Sequence, residues 1–315
     1  MLKILIIILL ILLFLLFVFH INQCHKKLNL ENFSNSFQTH SVTKSPAELF
    51  DSESAKLILA SDIEFKSAPL RGAALNSPVV EGLRPSDQGN YRDIPIILIC
   101  WNNLSFIQNF VEQLKKYPNP IILLDNNSKY PPMFDYYKQI ESDKITVILL
   151  EQNYGHEVYK KLKADLPDVY FLSDPDLQLN PQMPQNFAEI FVKLSEKHKS
   201  YKVGAALDIS DSEQFIPCDN YTENKSIVEW ESQFWKKPIS DPEYELYDAY
   251  TDTTFCLVNT KYEGNVTNLR VAGNFTVKHL PWYKDYIKKN TPKDELEHWK
   301  KYNKSSSILW TCLQL

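Results

Sequence analysis

Ile94-Pro95-Ile96-Ile97-Leu98-Ile99-Cys100-Trp101-Asn102-Asn103 decides how this chain is read. A short unbroken apolar run that stops on hydrogen-bonding residues is a buried strand followed by a polar turn. Residues 104–116 then switch to helical spacing, with Phe106, Phe110, Val111 and Leu114 on one face, and Pro118 and Pro120 end that helix. The alternation continues. Strands are expected at 120–124, 144–150, 168–172 and 203–209, with helices at 133–140, 158–164 and 184–197 between them. Strand and helix trading places at such short intervals predict an α/β domain, a mostly parallel Rossmann-like sheet with helices on both faces. Beyond it the pattern is less regular, with one further strand expected at 253–259.

Each of the first four strands ends in polar residues: Trp101-Asn102-Asn103, Asp125-Asn126-Asn127-Ser128, Asn153-Tyr154-Gly155-His156 and Ser173-Asp174-Pro175-Asp176. Any one of these is an ordinary turn. Four in succession lie where open parallel sheets bind ligands, beyond the carboxyl ends of the strands. Asp174 and Asp176 are two apart in an extended segment and so share a side. Such a pair suits a hard divalent ion, Mn²⁺ or Mg²⁺, completed by diphosphate oxygens. The plainer alternative is an Asp-Pro-Asp turn that caps the next helix. There is no GxxxxGK[ST] and no GxGxxG, and the chain has only seven Gly. P-loop and nicotinamide chemistry are therefore not indicated, and a nucleotide would be held through metal and side chains.

Upstream, residues 4–19 are apolar without a break, His20 interrupts and Ile21 extends the run. Eighteen residues of helix cover roughly 27 Å at 1.5 Å each, close to a bilayer core. No small-residue cleavage site comes after it, so residues 1–22 are expected to be an uncleaved single-pass anchor. Lys3 precedes the run, and His25, Lys26 and Lys27 lie beyond it. These charges lean only slightly toward a cytoplasmic C-terminal side, and the side stays open. Residues 23–93 lack periodicity and are expected to form a partly disordered stem, with the catalytic domain at 94–315. A net charge of −5 gives no basic footprint for nucleic acid. Five Cys without metal spacing argue against a disulfide-dependent fold, with Cys100 and Cys256 read as small buried hydrophobes.

The four strand ends together resemble a family 2 glycosyltransferase of the GT-A (nucleotide-diphospho-sugar transferase) fold. The segment from Pro95 to Asn102 is similar to the family's opening strand, and that from Ile121 to Ser128 to its Asp-Asp-x-Ser segment. Asn153-Tyr154-Gly155 is similar to its Asn-x-Gly, and Phe171 to Asp176 to its DxD motif. The likeness spans about residues 94–180. It implies a membrane-anchored, metal-dependent, hexosyltransferase-like enzyme, inverting in outcome. Such an enzyme moves a sugar from a UDP- or GDP-sugar to a glycan, protein or lipid hydroxyl. The resemblance puts Asp125 on the nucleobase, with Trp101, Asn102, Asn126 and Asn153 lining that site. It puts Asp174 at ribose or metal-bound water and Asp176 on the metal.

The second half resembles the family less. The residues from Tyr247 to Phe255 are similar to its acceptor-side strand, and those from Arg270 to Trp282 to a C-terminal segment that supplies a His to metal or diphosphate. His279 is the candidate for that role. Arg270 is the only Arg beyond Ile94 and is a candidate for the donor. The family's downstream Glu-Asp pair is missing, which leaves Asp252 and Glu231 as candidates for the catalytic base. The competing reading is a catalytically inactive GT-A-like or metal-dependent sugar-binding module that keeps the two Asp but has no base.

Overall fold

The computed structural model describes residues 90–265, 267–302 and 312. The chain divides into two units, Met1–Asp62 and Ile63–Leu315, and every described residue belongs to the second. The expected anchor and nearly all of the expected stem lie outside the described residues. Among the described residues no helix is long and apolar enough to cross a membrane.

A nine-stranded sheet forms the centre, in the order β3-β2-β1-β4-β9-β6-β10-β8-β7. Its first half matches the sequence reading closely: β1 (Ile96–Cys100), β2 (Ile121–Asp125), β3 (Ile145–Leu149) and β4 (Val169–Ser173). These strands pair in parallel. Helices α1 (Leu104–Leu114), α2 (Pro131–Ile140) and α3 (Val158–Lys161) connect them. The apolar run of β1 is continuous because both its faces are covered. Ile96 and Leu98 pack with Ile107 and Phe110 of α1, while Ile97 and Ile99 pack with Val158 and Tyr159 of α3.

The second half corrects the expectation of a mostly parallel sheet. β9 (Cys256–Asn259) inserts antiparallel between β4 and β6 (Lys202–Ala205). β10 (Asn268–Val271) returns parallel to β6, and β8 (Leu246–Asp248) and β7 (Pro238–Ile239) close the edge antiparallel. The sheet is thus mixed around a parallel core. Helix α4 (Phe187–His198) lays Phe187 and Phe191 against Phe171 and Phe255. The strand expected from 253 begins only at Cys256, because Phe255 has φ 33°, outside extended geometry. A second, two-stranded sheet joins β5 (Leu177–Leu179) to β11 (Val277–His279). The remaining α-helices among the described residues are α5 (Ile227–Ser232), α6 (Lys284–Asn290) and α7 (Lys293–Tyr302).

The cysteine reading needs a correction as well. Cys100 and Cys256 are free and buried, as expected. Cys218 and Cys312, however, form a disulfide across 94 residues, with Cα atoms 5.3 Å apart. Their sequence distance hid a pairing that the fold makes local.

Gly204 in β6 is where two strands close on the turn that carries Asp252. A Cβ there would lie 2.3 Å from Thr251 Cγ2 and 3.1 Å from Cys256 Cβ. Thr251 is buried and branched at Cβ, so it has little room to yield. Gly204→Ala should cost about 1–3 kcal/mol by overpacking. A thermal melt reads this directly, and an unchanged midpoint would show that the turn relaxes freely.

Candidate functional site

The four strand ends meet at one edge, but their side chains divide into two groups. One group builds the edge. Asn102 adopts a left-handed backbone (φ 53°), which Asn tolerates better than most residues. Its N–H donates to Ser128 Oγ (2.9 Å), and its Oδ1 accepts from the N–H groups of Lys129 (2.6 Å) and Tyr130 (3.2 Å). Asp125 turns inward: Oδ1 accepts from Ser128 N–H (2.7 Å) and Oδ2 from the Tyr137 hydroxyl (2.8 Å). At 1% exposure it lies beneath the edge, not in the cleft where the resemblance put it. Burial raises its pKa, against the pull of Ser128 and Tyr137. Asn126 donates to Gly155 O (2.9 Å) and accepts from Tyr154 N–H (2.8 Å), tying the second strand end to the third.

A second, overlapping group, which shares Asn102 and Asn126 with the first, faces open space. A cleft of about 540 Å³ is lined by Trp101, Asn102, Asn126, Asn153, His156 and Trp299, and by Asp174 and Asp176. That volume lies within the roughly 300–1,000 Å³ typical of small-molecule sites. Asn153 is exposed there, its Oδ1 accepting from Gly155 N–H (2.7 Å). Asp174 and Asp176 also line a second, smaller chamber of about 260 Å³, with Glu231, Asp252, Arg270 and His279. The two carboxylates therefore form a common wall. A larger open hollow of about 770 Å³ lies away from this edge, lined by Phe215, Lys278, Tyr283 and Lys289. Two of its three lysines are already paired, Lys278 with Asp211 and Lys289 with Asp285.

The wall is held by both sheets. Asp174 N–H donates to Thr253 O (3.0 Å), and the Thr253 hydroxyl donates to Asp174 Oδ2. Directly after Asp176 the chain enters β5, which pairs with β11 in a register that sets His279 opposite Leu177. That pairing brings His279 Nε2 to 3.3 Å from Asp176 Oδ2. Withdrawal from water, then the neighbouring charge of Asp176, push the Asp174 carboxyl up to about 7. Asp176 Oδ1 and His279 Nδ1 are moreover buried without a hydrogen-bond partner. Among the described residues no three His, Cys, Asp or Glu side chains form a ready-made metal cage. Asp176 and His279 offer one carboxylate and one imidazole, so a divalent ion there would take its remaining ligands from a bound anion and water.

Arg270 and Glu231 are brought together deep in the chamber. Arg270 Nη1 pairs with Glu231 Oε1, Nε donates to Tyr250 O (2.9 Å), and the guanidinium lies 4.0 Å from the centre of the Phe234 ring. Burial pushes the Glu231 carboxyl up to about 7, against the pull of Arg270. Arg270 therefore faces the chamber and not the larger cleft, and Glu231 is not a free carboxylate. Asp252 is exposed at the chamber. Its carbonyl accepts from Lys202 Nζ (2.9 Å), which leaves the carboxylate facing outward from a pinned turn.

Sequence reasoning missed the C-terminal helix. Glu295 of α7 accepts from Ser105 N–H (3.1 Å) and so caps α1, whose own Asn103 makes no side-chain cap. Trp299, one turn further on, donates to Asn102 O and stacks on Phe106 with centroids 5.8 Å apart. Glu295 and Trp299 at i, i+4 were the available signal for a buried face. Burial pushes the Glu295 carboxyl up to about 7, above its unfolded value near 4.3. A carboxyl raised on folding contributes stability that is present below its unfolded value and lost as pH rises through the folded one. Between about pH 4.5 and 7 this group should cost on the order of 3 kcal/mol, at about 1.4 kcal/mol per unit. Glu295→Gln should flatten the thermal midpoint across that window. An unaltered pH profile would show that Glu295 does not titrate there.

No protein-family model matches the chain, and no curated protein matches it. Among solved structures it is similar to the mannosyltransferase PcManGT of Pyrobaculum calidifontis in complex with GDP-Man and Mn²⁺, at 14% identity, TM-score 0.31, over 38% of this chain and 36% of that one. It thus spans about a third of that protein's length. Residues 1–349 of TarS from S. aureus are similar at 11% identity, TM-score 0.35, over 67% of this chain and 72% of that one. The mannosyltransferase Ktr4p of S. cerevisiae in complex with GDP is similar at 11% identity, TM-score 0.28, over 84% of this chain and 73% of that one. Likeness at this level carries no argument about chemistry, which rests on the site itself.

Proposed function

We propose that this chain is a metal-dependent, inverting, hexosyltransferase-like glycosyltransferase that uses a UDP- or GDP-sugar. The observation that carries the reading is the Asp174–Asp176 wall between two cavities, with an orphaned carboxylate oxygen and an orphaned imidazole nitrogen beside it. The larger cleft takes the nucleoside diphosphate, against Trp101, Asn153 and His156. Asp176 and His279, with Asp174 behind them, would hold Mn²⁺ or Mg²⁺, which when bound would supply Lewis-acid help to the departing diphosphate. Asp125, Asn102 and Asn126 serve by fixing the loops that shape the cleft. Asp252 takes the proton from the acceptor hydroxyl, and Glu231 keeps Arg270 in place.

Titration calorimetry with UDP and GDP tests this. Binding should require Mn²⁺ or Mg²⁺ and vanish in chelator, whereas metal-independent binding would overturn the metal assignment. The anchor belongs to the same proposal. The full chain should sediment with membranes, and deletion of residues 1–27 should release a soluble protein that still hydrolyses the donor. A truncated protein that stays membrane-bound would remove the anchor assignment.

A further inference from the structure

The smaller chamber carries information on what it accepts. It is lined by aromatic side chains, Tyr221, Trp230, Phe234, Tyr250 and Trp282, around its carboxylates. Tyr250 is 62% exposed, the largest apolar surface left in water among the described residues. A side chain of that size left in water at the mouth of a cavity marks a contact surface for a ligand. At about 260 Å³ the chamber falls below the roughly 300–1,000 Å³ of sites that hold drug-sized ligands, so it takes one small ring.

Charge narrows the class further. Asp174, Asp176, Asp252 and Glu231 face the chamber, and the basic groups lining it are Arg270 and His279. Arg270 is already committed to Glu231 and to Tyr250 O, and His279 lies against Asp176. A divalent ion on Asp176 and His279 would be matched by those side chains and by the donor's diphosphate, so no basic side chain lining the chamber remains to pair with a ligand carboxylate, which would be desolvated among like charges. Aromatic walls with hydrogen-bonding carboxylates suit a ring that is apolar on its faces and hydroxylated at its edge.

We propose that the chamber binds the terminal, uncharged pyranose of a glycan acceptor and excludes uronic and sialic acids. Tyr250 and Trp230 supply the ring contacts, and the committed Arg270–Glu231 pair sets the charge selectivity. The inference rests on the glycosyltransferase reading for the word acceptor, and on the chamber alone for the word saccharide.

Saccharide-observed saturation-transfer NMR on the detergent-solubilised full chain, with Mn²⁺ and UDP or GDP, tests it. The probes are neutral methyl hexopyranosides, methyl glucuronide and n-octanol. Neutral pyranosides should bind and the other two should not. Trp230→Ala and Tyr250→Ala should each weaken that binding at least tenfold at an unchanged thermal midpoint. Glu231→Gln, which frees the guanidinium, should raise glucuronide binding relative to neutral sugar. Glucuronide or octanol binding as well as neutral pyranoside to the unsubstituted chain would overturn the proposal. So would pyranoside displaced by a nucleotide-sugar but not by its nucleoside diphosphate, because the chamber would then hold the donor's own sugar. Nucleotide binding in Mn²⁺ with no pyranoside binding would defeat this inference and leave the functional reading standing. Pyranoside binding without any nucleotide binding would do the reverse.

Discussion

Asp176→Ala should abolish metal-dependent nucleotide binding. Asp176 sits where two cavities meet, and its Oδ1 is buried without a partner while Oδ2 lies 3.3 Å from His279. Asp174 is a poorer ligand by itself, since the Thr253 hydroxyl already donates to its Oδ2. Removing even an outer partner of a metal ligand typically costs about 10–100-fold in affinity. Removing an anionic ligand should therefore cost at least about 100-fold in UDP or GDP affinity in Mn²⁺. The same substitution lifts a negative charge from beside Asp174, so its carboxyl should titrate lower and the fold should lose no stability. Calorimetry with and without Mn²⁺, beside a thermal melt, separates the two effects. Unchanged affinity in Mn²⁺ would end the metal assignment, and lost affinity with a collapsed melt would assign Asp176 to structure.

How much of the fold can be read in the sequence depends on where each element gets its stability. β1, β2 and β4 are covered on both faces, so each announces itself as an apolar run with a polar end. β5, β7, β8, β10 and β11 are two to four residues long and held by their neighbours in the sheet. Strands that short show no period, so the antiparallel half and the β5–β11 pairing could not be read. That pairing is nonetheless what sets His279 beside Asp176.

The strand-edge rule points to the cleft but cannot say which side chains turn into it. Asp125 and Asn102 looked like ligand contacts; both fix loops, Asp125 from beneath the cleft and Asn102 while lining it. Asp125-Asn126-Asn127-Ser128 does carry its own signal for this. An Asp with Ser three residues later is poised to accept that residue's N–H, and left-handed Asn127 (φ 63°) closes the turn. Glu231 beside aromatic residues suggested a base, but its partner Arg270 is 39 residues away and no local pattern connects them. Asp252 alone of the two base candidates keeps a carboxylate free of an ion pair.

Asp252→Asn should therefore lower sugar transfer by about 10²–10⁴-fold, the usual worth of a general base. Its turn is pinned on both sides. Lys202 Nζ holds the Asp252 carbonyl, and Thr253 O accepts from Asp174 N–H. Thr251 and Thr253 are buried, so the intervening side chain is directed outward to the chamber. Asn keeps that shape and loses only the basic oxygen, so nucleotide affinity in Mn²⁺ should hold within a few-fold. A rate ratio at saturating donor and acceptor isolates the proton transfer from binding. Glu231→Gln reports on the alternative. It leaves a buried guanidinium without its carboxylate, which typically costs about 3–5 kcal/mol of stability, and residual folded protein should still transfer sugar. If that variant is folded and inactive while Asp252→Asn transfers normally, Glu231 is the base. If both transfer normally to a hydroxyl acceptor, neither carboxylate is the base.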